Sequence, residues 1–299
     1  MDDCGEFKTV KPLRLKIQEQ AKIKSAPQTV IEKDYALSYL LAGISEHPLL
    51  SDSLIFKGGT ALKKIYFGDY RFSEDLDFSV INAPKGKELE QAFEEVALIS
   101  KKLLNAYGPF EINLKRNPER EPHPNGQDAF NFYLKFPWHP TPLCRIKVEV
   151  THDEPVILLP IKKPILHDYE EVINAQISCY PVEEIIAEKL RALLQTHQKL
   201  VLRGWNRPRA RDYYDLWCLF NKYDSHIDKP EILKTLDKKC LHRNVTYQVI
   251  EDFFTPELLR EARAHWQETL RVLVRNLPDC NQVLDETKSF IANLLEESS

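Results

Sequence analysis

The residues best suited to chemistry lie in the stretch RFSEDLDFSV, Arg71–Val80. On a strand, side chains alternate between faces. Phe72, Leu76, Phe78 and Val80 then face a core, with Glu74 out of pattern, and Ser73, Asp75, Asp77 and Ser79 share the other side. Asp75 and Asp77 stand about 7 Å apart along such a strand. Like charges so placed repel unless a positive group lies between them, and a hard divalent cation with oxygen ligands answers that need. The alternative is an ordinary solvated strand face. RIKVEVT alternates in the same way and sets Arg145, Lys147, Glu149 and Thr151 opposite Ile146, Val148 and Val150. Beside the Asp75/Asp77 strand, Glu149 supplies a third carboxylate, as two-cation phosphoryl transfer requires. Elsewhere it is one more acid in a charged ladder.

Lys57-Gly58-Gly59-Thr60 falls between an expected strand and an expected helix. Paired glycines let a backbone approach a ligand, and a helix start offers free N–H groups. Thr60 can cap the helix and bond a phosphate oxygen. The run does not fit GxxxxGK[ST], which excludes a P-loop. From Lys189 to Arg211 there are seven basic residues (Lys189, Arg191, Lys199, Arg203, Arg207, Arg209 and Arg211) and no acid. That suits the phosphates of a nucleotide or of RNA, or makes a solvated basic loop. Trp205 within it is placed to stack on a base or to anchor the loop. Asp212 and Asp215, three apart, share a helix face, where Asp212 either orients Lys189 or an arginine, or caps the helix.

These residues need elements to hold them. QTVIEKDYALSYLLAGISEH, 28–47, has apolar residues at helical spacing. The spacing next predicts a strand at Leu54–Phe56, the Gly-Gly turn, a helix over Thr60–Phe67 stopped by Gly68, and a strand over Arg71–Val80. A helix is expected over 87–106. Strands follow at FEINLKR, FNFYLKF and RIKVEVT, the first two flanking the polar loop NPEREPHPNGQ. From about residue 180 the pattern turns helical, with Pro181 in a first turn, then VEEIIAEKLRALLQTHQK and RDYYDLWCLFNKY.

Composition bounds the reading. The 299 residues suggest two lobes. With 45 acidic and 41 basic residues the formal charge is −4, which excludes a generally basic nucleic-acid coat but not a local basic cleft. The six cysteines (4, 144, 179, 218, 240 and 280) show no CxxC or Cys/His metal spacing and read as reduced thiols. No apolar run approaches the ~20 residues of a membrane span. The charged start, MDDCGEFKTV, lacks the centre of a secretory signal, so a cytoplasmic location is expected.

Strand, Gly-Gly, helix, strand with DxD, and a later acid on a neighbouring strand together resemble the DNA polymerase β-like nucleotidyltransferase superfamily. The fuller pattern is similar to its AbiEii/AbiGii toxin branch, which includes MenT-type toxins. It rests on IEKDY (Ile31–Tyr35), FKGGTAL (Phe56–Leu62), RFSEDLDF (Arg71–Phe78), KVEV (Lys147–Val150), EEIIAEKLRALL (Glu183–Leu194) and RARDYYDLW (Arg209–Trp217), in the family's order. The resemblance implies a bilobed α+β fold: a mixed-sheet nucleotidyltransferase core, 1–165, and a helical C-terminal domain, 166–299, with the active site between them. It implies Mg²⁺-dependent (or Mn²⁺-dependent) transfer of a nucleotide from an NTP, with the 3′ end of tRNA as the acceptor in some relatives. A cognate antitoxin protein is the implied partner. Asp75 and Asp77 match the metal-binding pair, and Gly58, Gly59 and Thr60 the superfamily's Gly-Ser turn. Lys189 and Asp212 match the branch's later Lys and Asp. Glu149 is the expected third ligand, although the branch does not always keep an acid there. Lys57, Ser73, Arg191, Arg203 and Arg211 complete the expected nucleotide site, and Ser73 is also placed where an added negative charge would block metal binding. Lys33, Asp34 and Asp215 receive no chemistry. The competing readings are a protein or small-molecule acceptor, a non-catalytic RNA- or partner-binding module, and a Mg²⁺-dependent phosphohydrolase.

Overall fold

The computed structural model describes residues 12–117, 126–204 and 207–296. Cys4, Trp205 and most of the NPEREPHPNGQ loop lie outside them. In chain order the elements are α1 (Leu13–Lys24), α2 (Gln28–Glu46), α3 (Leu50–Ser53), β1 (Leu54–Lys57), α4 (Gly58–Ala61, continued as a π-helix over Leu62–Phe67), β2 (Asp75–Val80), α5 (Gly86–Leu104), β3 (Glu111–Arg116), β4 (Gln127–Lys135) and β5 (Cys144–Thr151). There follow β6 (Ile161–Pro164), β7 (Gln176–Cys179), α6 (Val182–Arg203), α7 (Ala210–Tyr223), α8 (Lys229–Arg243), α9 (Pro256–Leu270) and α10 (Cys280–Glu296).

Among the described residues the strands form one mixed sheet of seven, in the order β3-β4-β5-β2-β1-β7-β6. β2 stands at its centre, antiparallel to β1 and parallel to β5. Leu76, Phe78 and Phe56 point to one face and are fully buried, with the Phe56 and Phe78 rings 5.3 Å apart. α2 and α5 pack beside each other against the sheet, α5 through Phe93 on Phe130 and Phe132. The other face carries Asp75, Asp77, Lys147 and Glu149, and there α6 and α7 approach. The fold is thus the expected α+β arrangement, mixed sheet first and helices after. The sheet nonetheless runs past residue 165: β7 pairs in parallel with β1 and belongs to it. No helix among the described residues is long and apolar enough to cross a membrane. Cys144, Cys179, Cys218, Cys240 and Cys280 are free thiols.

Two elements differ from their sequence reading. β2 begins at Asp75 rather than Arg71, because 71–74 spends its bonding groups elsewhere. The Phe72 N–H donates to the Leu273 carbonyl at 3.1 Å, and the Arg71 side chain turns away to Asp215. The expected Thr60–Phe67 helix widens into π geometry after one turn and stops at Gly68, whose φ is +68°. The wider winding buries two consecutive lysines on one side. Lys64 Nζ lies 2.8 Å from an Asp34 carboxylate oxygen and Lys63 Nζ 3.9 Å from the other. Asp34 is therefore a buried counter-ion that fixes the helix behind the Gly-Gly turn. Lys33 reaches instead to Glu74, 3.0 Å away.

Removing one partner of a buried ion pair strands the other charge. Asp34→Ala is expected to destabilise the fold by roughly 3 kcal/mol, whereas Lys33→Ala, on an exposed pair, should cost less than about 1 kcal/mol. Urea denaturation of both variants beside wild type checks this.

Candidate active site

The acidic floor is set by register. Across β2 and β5, Asp75 faces Lys147 and Asp77 faces Glu149; across β1, Asp77 faces Lys57. Burial raises the Asp77 carboxyl to about 7, with the Glu149 charge the next cause. Asp75 is raised for the same two reasons in the same order. Both carboxyls are thus raised first by burial and then by the acid across the strands, and oxygen ligands of that kind suit a hard divalent cation. Asp75 and Asp77, on one face and under-neutralised, fit such a cation. Glu149 lies beside them but is ion-paired with Lys147. Among the described residues no group of three or more His, Cys, Asp or Glu side chains is assembled to hold a metal ion.

The Gly-Gly turn is shaped by what lies against it. Gly58 has φ +79°, in the left-handed region, and a Cβ there would sit 2.5 Å from Asp77 Oδ2. A Cβ on Gly59 would collide with the Arg71 guanidinium. Thr60 departs from the expectation. The helix has no side-chain cap. The Thr60 hydroxyl, buried, donates to the Asp75 carbonyl and lies 2.7 Å from Ser73 Oγ. It ties the turn to the start of β2 instead of facing a ligand.

Opposite the floor, α6 and α7 bring a chain of ion pairs. Asp215 is fully buried. It accepts from Arg71 Nε at 2.6 Å and Nη2 at 2.7 Å, from the Tyr70 hydroxyl at 2.6 Å and from Lys189 Nζ at 2.6 Å. Lys189 also donates to Asp212 at 2.9 Å, and Arg209 reaches Asp212 at 3.1 Å. Lys189, Arg71 and their neighbouring cations hold the Asp212 and Asp215 carboxyls below the ordinary carboxylate range, against the effect of burial. A second chain runs from Lys57 to Glu188 at 3.0 Å, then to Lys239, which also meets Glu184 at 3.0 Å. Arg191 bonds Gln195 at 2.8 Å and approaches Glu154 at 3.5 Å.

One cleft of about 250 Å³ collects these groups. Asp75, Asp77, Glu149, Lys189, Asp212, Lys57, Gly58, Gly59, Ser73, Arg191 and Arg211 all line it. Of the residues expected from the sequence, Thr60, Lys199 and Arg203 do not, whereas Arg207 and Arg209 of the basic stretch do. Arg71, Glu188 and Tyr180 line it without having been assigned a role there. Asp215 also lines it, and its three donors now give it one.

Residues 39–291 match the family described as nucleotidyl transferase AbiEii toxin, type IV toxin–antitoxin system. The chain belongs to that family. Among solved structures, the fold is similar to MenT4, a nucleotidyltransferase toxin from Mycobacterium tuberculosis H37Rv, with a TM-score of 0.64 at 21% identity over 94% of this chain and 89% of that one. No curated protein matches by sequence. As an AbiEii family member the protein is a nucleotidyltransferase, a toxin of a type IV toxin–antitoxin system with an antitoxin as its counterpart.

Two outcomes follow for this AbiEii cleft. Gly58→Ala, strained at positive φ and pressed on Asp77, should lower nucleotide transfer by about a hundredfold, with a loss of stability of about 1–3 kcal/mol. A transfer assay paired with thermal melting separates the two. Carboxyls lowered in the folded state add stability that is whole above their unfolded values, near pH 4–4.5. Glu188 is lowered to about 2, with Lys57 and Lys239 overriding burial. Asp77, raised to about 7, runs the other way. The Glu188 share is therefore read as the gap in melting temperature between wild type and Glu188→Gln. That gap should be whole above about pH 5 and close as the pH drops toward about 2.

Proposed function

We propose that this toxin transfers a nucleotide from an NTP to an acceptor hydroxyl, with the 3′ end of tRNA as the acceptor, using Mg²⁺ or Mn²⁺. The observation that carries the reading is the cleft's polarity. Under-neutralised Asp75 and Asp77 form its floor, and cationic side chains from α6 and α7 face them across a glycine turn. Asp75 and Asp77 hold the cation, with Glu149 beside them; when bound, the cation supplies charge stabilisation and activates the hydroxyl. The acceptor oxygen attacks the α-phosphorus and pyrophosphate leaves. Gly58 and Gly59 let the substrate approach the backbone, where a side chain would intrude. Asp212 and Asp215 each take a hydrogen bond from Lys189, which leaves one of its three N–H donors for a substrate oxygen. Ser73, next to this floor, is where an added phosphate would repel the nucleotide. The basic end of α6, with Lys199 and Arg203 exposed or half-exposed, offers a track for the RNA backbone. Catalysis of this kind is chiefly positioning and charge neutralisation.

The test is incubation with each labelled NTP and separate pools of tRNA, protein and small molecules. Label should enter tRNA and fall about a hundredfold or more with Asp77→Ala. Label in protein alone would sink the RNA acceptor, and free phosphate without incorporation would indicate a phosphohydrolase.

A further inference from the structure

Much of the positive charge in the cleft is already spent. Lys57 is paired with Glu188, Arg71 with Asp215, Lys189 with Asp212 and Asp215, and Arg209 with Asp212. Arg191 is engaged by Glu154 and Gln195. Two cations on the cleft wall remain. Arg207 is exposed and makes no ion pair among the described residues. Arg211, half-buried, donates through Nε to the Thr269 carbonyl at 3.3 Å, and among the described residues no hydrogen bond or ion pair engages its terminal nitrogens. Burial and then the like charges of Arg71 and Arg207 act against its guanidinium, with Glu74 and Asp215 opposing them less strongly. Between them α7 begins at Ala210, and no side chain caps its start.

We propose that Arg207 and Arg211, with the open start of α7, grip the terminal phosphates of the NTP, and that Lys189 does not. This rests on the nucleotidyltransfer reading and divides its labour. The acidic floor is on β2 and the two arginines flank the start of α7, both lining one cleft, so a bound NTP has its α-phosphate over Asp75 and Asp77 and its β- and γ-phosphates toward α7. A polyphosphate carries more charge than one divalent cation cancels, and two arginines meet the remainder with forked donors suited to phosphate oxygens. A lysine shared by two carboxylates is a poor grip for a mobile tail, since its charge is already met. Lys199 and Arg203 do not line the cleft and are left to the acceptor.

The test is equilibrium titration with α,β-methylene analogues of the four NTPs and with the matching monophosphates. Mg²⁺ is present and acceptor absent. Wild type is compared with Arg207→Gln, Arg211→Gln, Arg211→Lys and the double glutamine variant. Arg207→Gln removes no intramolecular contact seen in the structure, so it carries the test even if Arg211→Gln weakens the fold. Each glutamine variant should bind the triphosphate analogue about tenfold more weakly, with monophosphate affinity unchanged and Arg211→Lys partly restored. Triphosphate affinity unchanged in the double variant would overturn the assignment. So would an equal loss for mono- and triphosphate. A wild type that binds none of the four triphosphates would instead overturn the nucleotidyltransfer reading itself.

Discussion

The site depends on one buried carboxylate. Asp215 has no exposed surface, and a charge so placed is tolerated only if it is fully met. Arg71 meets it from the approach to β2, Lys189 from α6, and Tyr70 from the turn after the π-helix. Segments far apart in the chain are thereby drawn to one point, and the sheet and the helices are held at a fixed separation across the cleft. Arg71 has a further effect: pinned by two bonds to Asp215, it lies over Gly59 and leaves no room for a Cβ. Asp77 does the same at Gly58. The glycine pair is thus required from two sides by charged groups, besides any need of a substrate.

Neutralisation by these ion pairs leaves two parts of the cleft lining under-compensated. The Asp215 and Glu188 chains absorb most of the lysines and arginines, so the free negative charge is confined to Asp75 and Asp77 and the free positive charge to the start of α7. Fixed charges of this kind need no rearrangement when a charged substrate arrives, which is where electrostatic catalysis gains most. The ion pairs also hold the surrounding segments in place, which keeps the unpaired groups apart.

The sequence showed the floor of this site better than its walls. Period-two alternation placed Asp75, Asp77 and Glu149 on one face, and strand pairing of β2 with β5 set them side by side. α2, α5, α6 and α7 were legible from helical spacing and capping. β6 and β7 were not: four residues each, one ending in proline, are too short to show a period. The start of β2 was misplaced because RFSE alternates like a strand while its bonds go to Asp215 and Leu273. Asp215 and Arg71 carried no local signal, since a partner 144 positions away leaves no trace in spacing. Nothing in a helix register shows that two aspartates on the next helix share Lys189.

Glu149 shows how a residue can matter without changing partner. It stands across from Asp77 and is held by Lys147 on its own strand. A third-ligand role requires that pair to open. A field role does not, because Glu149 is already the foremost charge raising both Asp75 and Asp77. Its position beside the floor deepens the negative potential there, and Lys147 limits that effect by neutralising part of it. The pair therefore sets how negative the potential at the two aspartates is. This explains why an acid on β5 is useful to the cleft even while its own carboxylate remains bonded to a lysine.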